Sequence, residues 1–500
     1  MNLRTAAILA VTALVAVAAW PRFVATHVAQ ASVATPAPVV ADYLQRDRLI
    51  AFYEDAVRRR PDQIVTRLLA SQYLQRFREA GDPGDLLRGG HLARRSLALQ
   101  PRFNAGAELT LASSLASLHR FREALSHAQN ARRIEPSSIA AAAQVASALI
   151  ELGRYDDAAR VLGSARRAGA ADVDLASVTA RFDEITGRLA SARRSIEIAA
   201  IAADSIIDTP AETRAWFHFR AGEMAWSAGD GDAADREFHV ALAIYPRYAR
   251  AHNGLARLYW SERRWPEARA AAARAAELVP LPETLGYEAD AQRALGDAAA
   301  ARATGDAIDA IARLGVAGGI NDRALAIYFA DHRLRPADAV AIARRDAAAR
   351  DDVFAEDALG WALLRAGRCS AARVAAAKAV RAGTQDARLQ YHAGVVAMEC
   401  GERTEAARRL RLALEINPQF HPFDADDARR RLARLRAADR AGRGDLEARV
   451  DEARVVERGA DPVGEVEVGL GRRAHAVEPD LAVAGERGVR VLVGVLPIGG

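Results

Sequence analysis

Apolar positions along the chain fall into segments of helix length, two to a period, with no strand-like alternation between them, and the period is 34 residues. Gly153 and Gly187 stand one period apart, as do Gly367 and Gly401. Small neighbours keep step: Ala158 with Ala192, Ala372 with Ala406, and Ala379 with Ala413. A self-similarity of this length carrying two helices predicts a stacked array of helical hairpins, since no single hairpin can bury its own apolar face. Small residues belong where helices cross closely and larger ones fill the remaining gaps. Glycine takes the turn, and proline, lacking an amide donor, ends the second helix.

The fullest unit reads Ala221-Gly222 in its first helix, Gly229 at the turn, Ala234, Phe238 and Ala241-Leu242 in its second helix, then Pro246. The next unit keeps the register with Tyr259, Trp265, Ala268, Ala275 and Pro280, although Arg263 replaces the turn glycine. Upstream stand Phe121, Ala124, Ala131 and Pro136, then Gly153, Tyr155 and Ala158. Downstream, Ala358-Leu359-Gly360, Gly367 and Ala372 lead into Ala393-Gly394, Gly401, Ala406, Ala413-Leu414 and Pro418. This joint placement of Gly, Ala, aromatic and Pro resembles the tetratricopeptide repeat. The resemblance implies an all-α fold: a right-handed superhelical solenoid of about ten antiparallel helix-pair repeats with a C-terminal capping helix, its concave wall lined by the first helix of each pair.

The register runs over residues 42–418. Two units are over-long. From Pro61 to Pro101 the excess is expected in the loop Gly81-Asp82-Pro83-Gly84, with Gly89-Gly90 after it. From Gly187 to Gly229 an insertion near Asp204 to Pro210 is expected. Between Gly296 and Gly367 one degenerate unit is expected, with helices over Arg323–Asp331 and Pro336–Ala349. Residues 419–440 supply the cap, a helix over Asp424–Arg440 with an acidic first turn and basic polar positions beyond it. The tail, 441–500, lacks Phe, Trp, Tyr, Ser, Thr, Asn, Gln and Lys and carries no register. Disorder, a weak strand over Val489–Leu496 and out-of-frame translation of a GC-rich gene all remain open for it.

With 51% hydrophobic and 27% charged residues the chain has the means to bury a long core, and at 6% aromatic it is alanine that does most of the packing. The net charge of +5 does not point to nucleic acid: Lys378 is the only lysine, and arginines alternate with acids, as Arg408-Arg409 do beside Glu402 and Glu405. Met1–Arg4 is a short positive region and Thr5–Ala19 an uncharged, mostly apolar stretch, so residues 1–31 read as a signal peptide or an uncleaved N-terminal membrane anchor. Ala29-Gln30-Ala31 and Ala16-Val17-Ala18 are the candidate cleavage sites, and residues 32–41 read as a linker. An extracytoplasmic location, periplasmic or secreted, in a bacterium is expected.

Catalytic signatures are absent from the sequence: no His-Glu-x-x-His, no Gly-x-Ser-x-Gly, no phosphate-cradling Gly-x-x-x-x-Gly-Lys and no dinucleotide loop. His119, His127, His239 and His252 form no ligand cluster by spacing, so neither a metal nor a cofactor is expected. Asp156-Asp157 and Asp351-Asp352 sit near helix starts, where they favour the helix dipole. Cys369 and Cys400 lie in adjacent units at non-equivalent positions. Stacked helices about 8–10 Å apart exceed the reach of a disulfide, so buried free thiols are the expectation.

Function then rests on the concave wall. Counted in the repeat register, one unit presents Trp216, Phe219, Arg220, Glu223 and Trp226, and the next Arg250, Asn253, Arg257 and Trp260. Four of the six tryptophans fall between Trp216 and Trp265. Aromatics beside arginine anchor peptides in grooves, so these nine residues form the candidate partner-binding site, while Trp265 is expected to fill a gap between helices. The expected function is a non-enzymatic, exported scaffold binding a protein or peptide during envelope assembly, secretion or transport. The alternative is an intracellular adaptor or accessory subunit of an enzyme or chaperone complex. Adaptors of the resembled family clamp a carboxylate with lysines and asparagines on successive first helices; Asn253 has no such companions, and Lys378 falls on a second helix.

Overall fold

A computed structural model describes residues 42–167, 173–315 and 321–437. The expectations for residues 1–31, 32–41 and 441–500 lie outside the described residues. Among the described residues all regular structure is helical. Helix Asp42–Arg59 leads. Ten hairpins follow, from Gln63–Ala80 with Pro83–Leu99 (unit one) to Ala387–Glu399 with Arg403–Ile416 (unit ten), and a last helix spans residues 424–437. The chain is a right-handed superhelical solenoid of antiparallel helix pairs. The degenerate unit is unit eight, Asp322–Asp331 with Pro336–Ala349.

The small residues do what the period implies. Ala158, Ala192, Ala372, Ala406 and Ala413 are completely buried where helices cross. Phe238, also fully buried, lies in a slot between Gly222 of its own unit and Gly254 of the next; a Cβ on either glycine would come within 2.6 Å of its ring. Asp62, Asp230, Asp352 and Asp386 cap first turns, as where Asp352 accepts from the Ala355 amide at 2.7 Å.

Two expectations need correction. The extra length of unit one lies in its helices, of 18 and 17 residues, rather than in a loop. Only Gly81-Asp82 links them, and Gly89 and Gly90 lie within the second helix, where Leu74 and Ser114 come within 2.6 Å and 2.5 Å of where a Cβ would stand and so leave room only for glycine. The cysteines are bonded: Cys369 and Cys400 form a disulfide with their Cα atoms 5.8 Å apart. The interaxial spacing of helix bodies misled, because Cys369 opens the second helix of unit nine and Cys400 closes the first helix of unit ten, where helix ends converge.

First helices touch the first helices of neighbouring units, as Ala211–Ser227 does Ala249–Ser261, and so form the inner wall. The superhelix is tight enough for successive turns to meet. Tyr245 Oη donates to the Glu79 carbonyl at 3.2 Å. Arg350 Nη1 reaches Glu151 Oε2 at 2.7 Å, the Val353 amide donates to Tyr155 Oη at 3.0 Å, and Asn417 Nδ2 donates to the Trp226 carbonyl at 2.7 Å. Gly153 and Gly187 lie on this seam. Each has a left-handed backbone, φ 67° and 77°, and a Cβ would stand 1.9 Å from the Asp351 carbonyl oxygen and 2.2 Å from that of Gly383. Arg263 adopts the same left-handed turn at φ 61° and spends its side chain on the seam, donating to the Pro422 carbonyl and pairing with Asp426.

Candidate functional site

The inner wall of units four to six carries a continuous run of alternating charges. Arg181 and Glu184 come from Val173–Ile185, Arg220 and Glu223 from Ala211–Ser227, and Arg257 from Ala249–Ser261. Glu184 accepts from Arg181 and from Arg220, both at 2.9 Å. Arg220 also pairs with Glu223, which accepts from Arg257 at 3.1 Å. Burial alone would push the Glu184 carboxyl up, but Arg220 and Arg181 outweigh it and hold it down at about 2. Burial likewise opposes ionisation of Glu223, and Arg220 and Arg257 reverse it, leaving its pKa below the usual value. Both carboxylates are therefore charged, and the two outer arginines keep donors to spare. Arg257 Nε is buried with no hydrogen-bond partner.

The nine residues read from the register divide. Phe219 and Trp260 are each only 5% exposed: Phe219 packs against Phe238 and Tyr248, and Trp260 donates its Nε1 to Asp290 at 3.0 Å while packing against Tyr287 and His421. They support the wall from behind. Trp216 and Trp226 are half-buried, and Arg257 lies over the Trp226 ring with Cζ 4.2 Å from its centroid. Trp226 Nε1 donates to Ser261 Oγ at 3.2 Å. Asn253 accepts from Thr284 at 2.8 Å, and Arg250 is exposed. Trp265 is half-buried and stacks on Phe423 of the next superhelical turn, so it acts on the seam as much as within its unit. Arg181 and Glu184 escaped the register count because the long helix Leu189–Ser205 displaces unit five from unit four.

A second, open hollow of about 540 Å³ lies between units two and three, lined by Arg132, Arg133, Arg154 and Arg160 with Asp157. Asp157 pairs with both Arg154 and Arg160.

Fold and inner wall together define a helical-repeat solenoid, an architecture whose stacked repeats form an extended concave surface suited to binding other proteins. Residues 115–182 match the tetratricopeptide-repeat family model. No curated protein matches the chain. Among solved structures it is similar to the hetero-tetramer Cut9–Hcn1 of the APC/C, at 13% identity and TM-score 0.31, over 79% of this chain and 94% of that one. A tetratricopeptide repeat protein from Parabacteroides merdae is 14% identical at TM-score 0.36, over 52% and 98%. The human IFIT1 dimer with PPP-AAAA is 15% identical at TM-score 0.38, over 71% and 72%. At these scores none of the three bears on function.

Proposed function

We propose that the chain is an exported, non-enzymatic scaffold whose inner wall at units five and six receives an extended segment of a protein partner. The carrying observation is the run Arg220–Glu223–Arg257 with Trp226 beneath Arg257. It offers guanidinium donors and an aromatic face side by side, with Trp216, Arg250 and Asn253 flanking them and Phe219 and Trp260 holding the wall rigid from behind. Such a surface suits a peptide that brings a carboxylate or backbone carbonyls together with an apolar side chain. Export is supported by the positive start and apolar stretch of residues 1–19 and by the Cys369–Cys400 bridge, which persists in oxidising compartments. Attachment to a membrane through an uncleaved N-terminal segment belongs to the same reading.

The test places a photo-crosslinking amino acid at Trp226 in the full chain expressed in its own host. A crosslinked partner should appear, and Trp216→Ala or Arg257→Ala should weaken capture by about 2 kcal/mol without loss of helicity. Undiminished capture by both variants would contradict the site. Residues 1–31 fused to a reporter that works only outside the cytoplasm should be active; a silent reporter would contradict export.

A further inference from the structure

A polar cluster lies where units eight, nine and ten meet the terminal helix. His392, in the first helix of unit ten, is 1% exposed. Its Nδ1 lies 3.0 Å from both carboxylate oxygens of Asp357, and its ring stacks on Trp361 with centroids 4.1 Å apart and planes 13° from parallel. Held this way, the imidazole directs its Nδ1–H to Asp357, which leaves Nε2 as the ring nitrogen available to a ligand. That Nε2 is buried without a hydrogen-bond partner, and so is Asp424 Oδ2. His421 Nδ1 stands 3.5 Å from Asp424 Oδ2 but accepts from the Phe423 and Asp424 amides, so it has no proton to give. One ligand atom each from Asp331, His392 and Asp424 lie within 4.8 Å of one another. Two carboxylates and an unpartnered ring nitrogen gathered this closely form a donor set that a cation can join.

We propose that Asp331, His392 and Asp424 bind a divalent transition-metal cation, zinc by preference, which ties the terminal helix to units eight and ten. One nitrogen and two oxygens are donors that zinc accepts, and water completes a four-coordinate shell. Ligands at about 2.0–2.2 Å from zinc stand roughly 3.5 Å apart, so the donors draw in by about an ångström on binding. Asp357 holds the tautomer that presents Nε2 to the metal, the arrangement in which a carboxylate behind a histidine raises its basicity. Trp361 positions a second ligand by donating its Nε1 to Asp331 Oδ1 at 2.8 Å. Arg388 pairs with the other oxygen of Asp331, and Arg365 lies over Trp361; three carboxylates, Asp331, Asp357 and Asp424, still outnumber these two guanidinium groups. Asp331 and Asp424 are half-buried.

The full chain, stripped with a chelator and its disulfide intact, is titrated calorimetrically with zinc chloride. One zinc per chain is expected. His392→Gln and Asp424→Asn should each lower affinity at least about tenfold while circular dichroism stays unchanged. X-ray absorption of the zinc-loaded parent should show a nitrogen and oxygen shell with no sulfur. Absence of binding at about 0.1 mM zinc, equal affinity in parent and both variants, or a sulfur shell would each overturn the proposal. Should His392→Gln fail to fold, Asp424→Asn and the spectrum of the parent still decide.

Discussion

Gly153 and Gly187 carry the same signal as Gly367 and Gly401: each pair is one period apart, and each glycine turns its hairpin with a left-handed backbone. Their surroundings differ. Nothing lies within 4 Å of a Cβ placed on Gly367 or Gly401, whereas at Gly153 and Gly187 it would collide with backbone carbonyls of the next superhelical turn. A repeat signature therefore reports the hairpin, which is local, and is silent on whether that hairpin also meets a segment one superhelical turn away. The same glycine serves one purpose in the late units and two in the early ones.

Substitution separates the two cases. Gly187→Ala or Gly153→Ala should cost about 3 kcal/mol or more in urea melts, because a carbonyl oxygen near 2 Å cannot yield without parting the turns. Gly367→Ala and Gly401→Ala should cost only about 1–2 kcal/mol, the left-handed penalty alone; equal losses at all four would erase the contrast. Glu184→Ala, beside the seam of the early units, leaves Arg181 and Arg220 partly buried with one acidic partner fewer. A loss of about 2 kcal/mol is expected, discounted because these side chains keep some solvent. Since the folded Glu184 carboxyl is held at about 2, below its ordinary value, the contribution is full above pH about 4.5 and disappears as pH falls toward 2. Melts of parent and Glu184→Ala should therefore differ at neutral pH and converge near pH 2. The seams within hairpins should not distinguish early units from late: Ala158→Leu and Ala406→Leu, both fully buried, should each cost about 1–3 kcal/mol.

The hairpins were legible in the sequence because packing of one helix on the next is a local demand that recurs every unit. Even unit eight, with little of the signature, was visible from the space between Gly296 and Gly367. The candidate wall was legible in part. Trp226 and Arg257 follow from the register, but the register does not tell a residue on the wall from one behind it, which is why Phe219 and Trp260 are buried. What depends on superhelical pitch was not legible: the seam, the job of Arg263, and the cluster around His392. Asp331, Asp357 and His392 come from the first helices of units eight, nine and ten and Asp424 from the terminal helix, so no short spacing marks them. The disulfide was hidden for a related reason, since helix ends converge where helix bodies do not.

Contact between superhelical turns is tested most directly by a double-mutant cycle on Glu151 and Arg350, whose side chains meet at 2.7 Å across a sequence separation of 199 residues. Glu151→Gln, Arg350→Gln and the double variant are melted in urea beside the parent. A coupling energy of about 1–3 kcal/mol is the expected result. Coupling within error of zero, with each single loss simply adding, would contradict the closed seam.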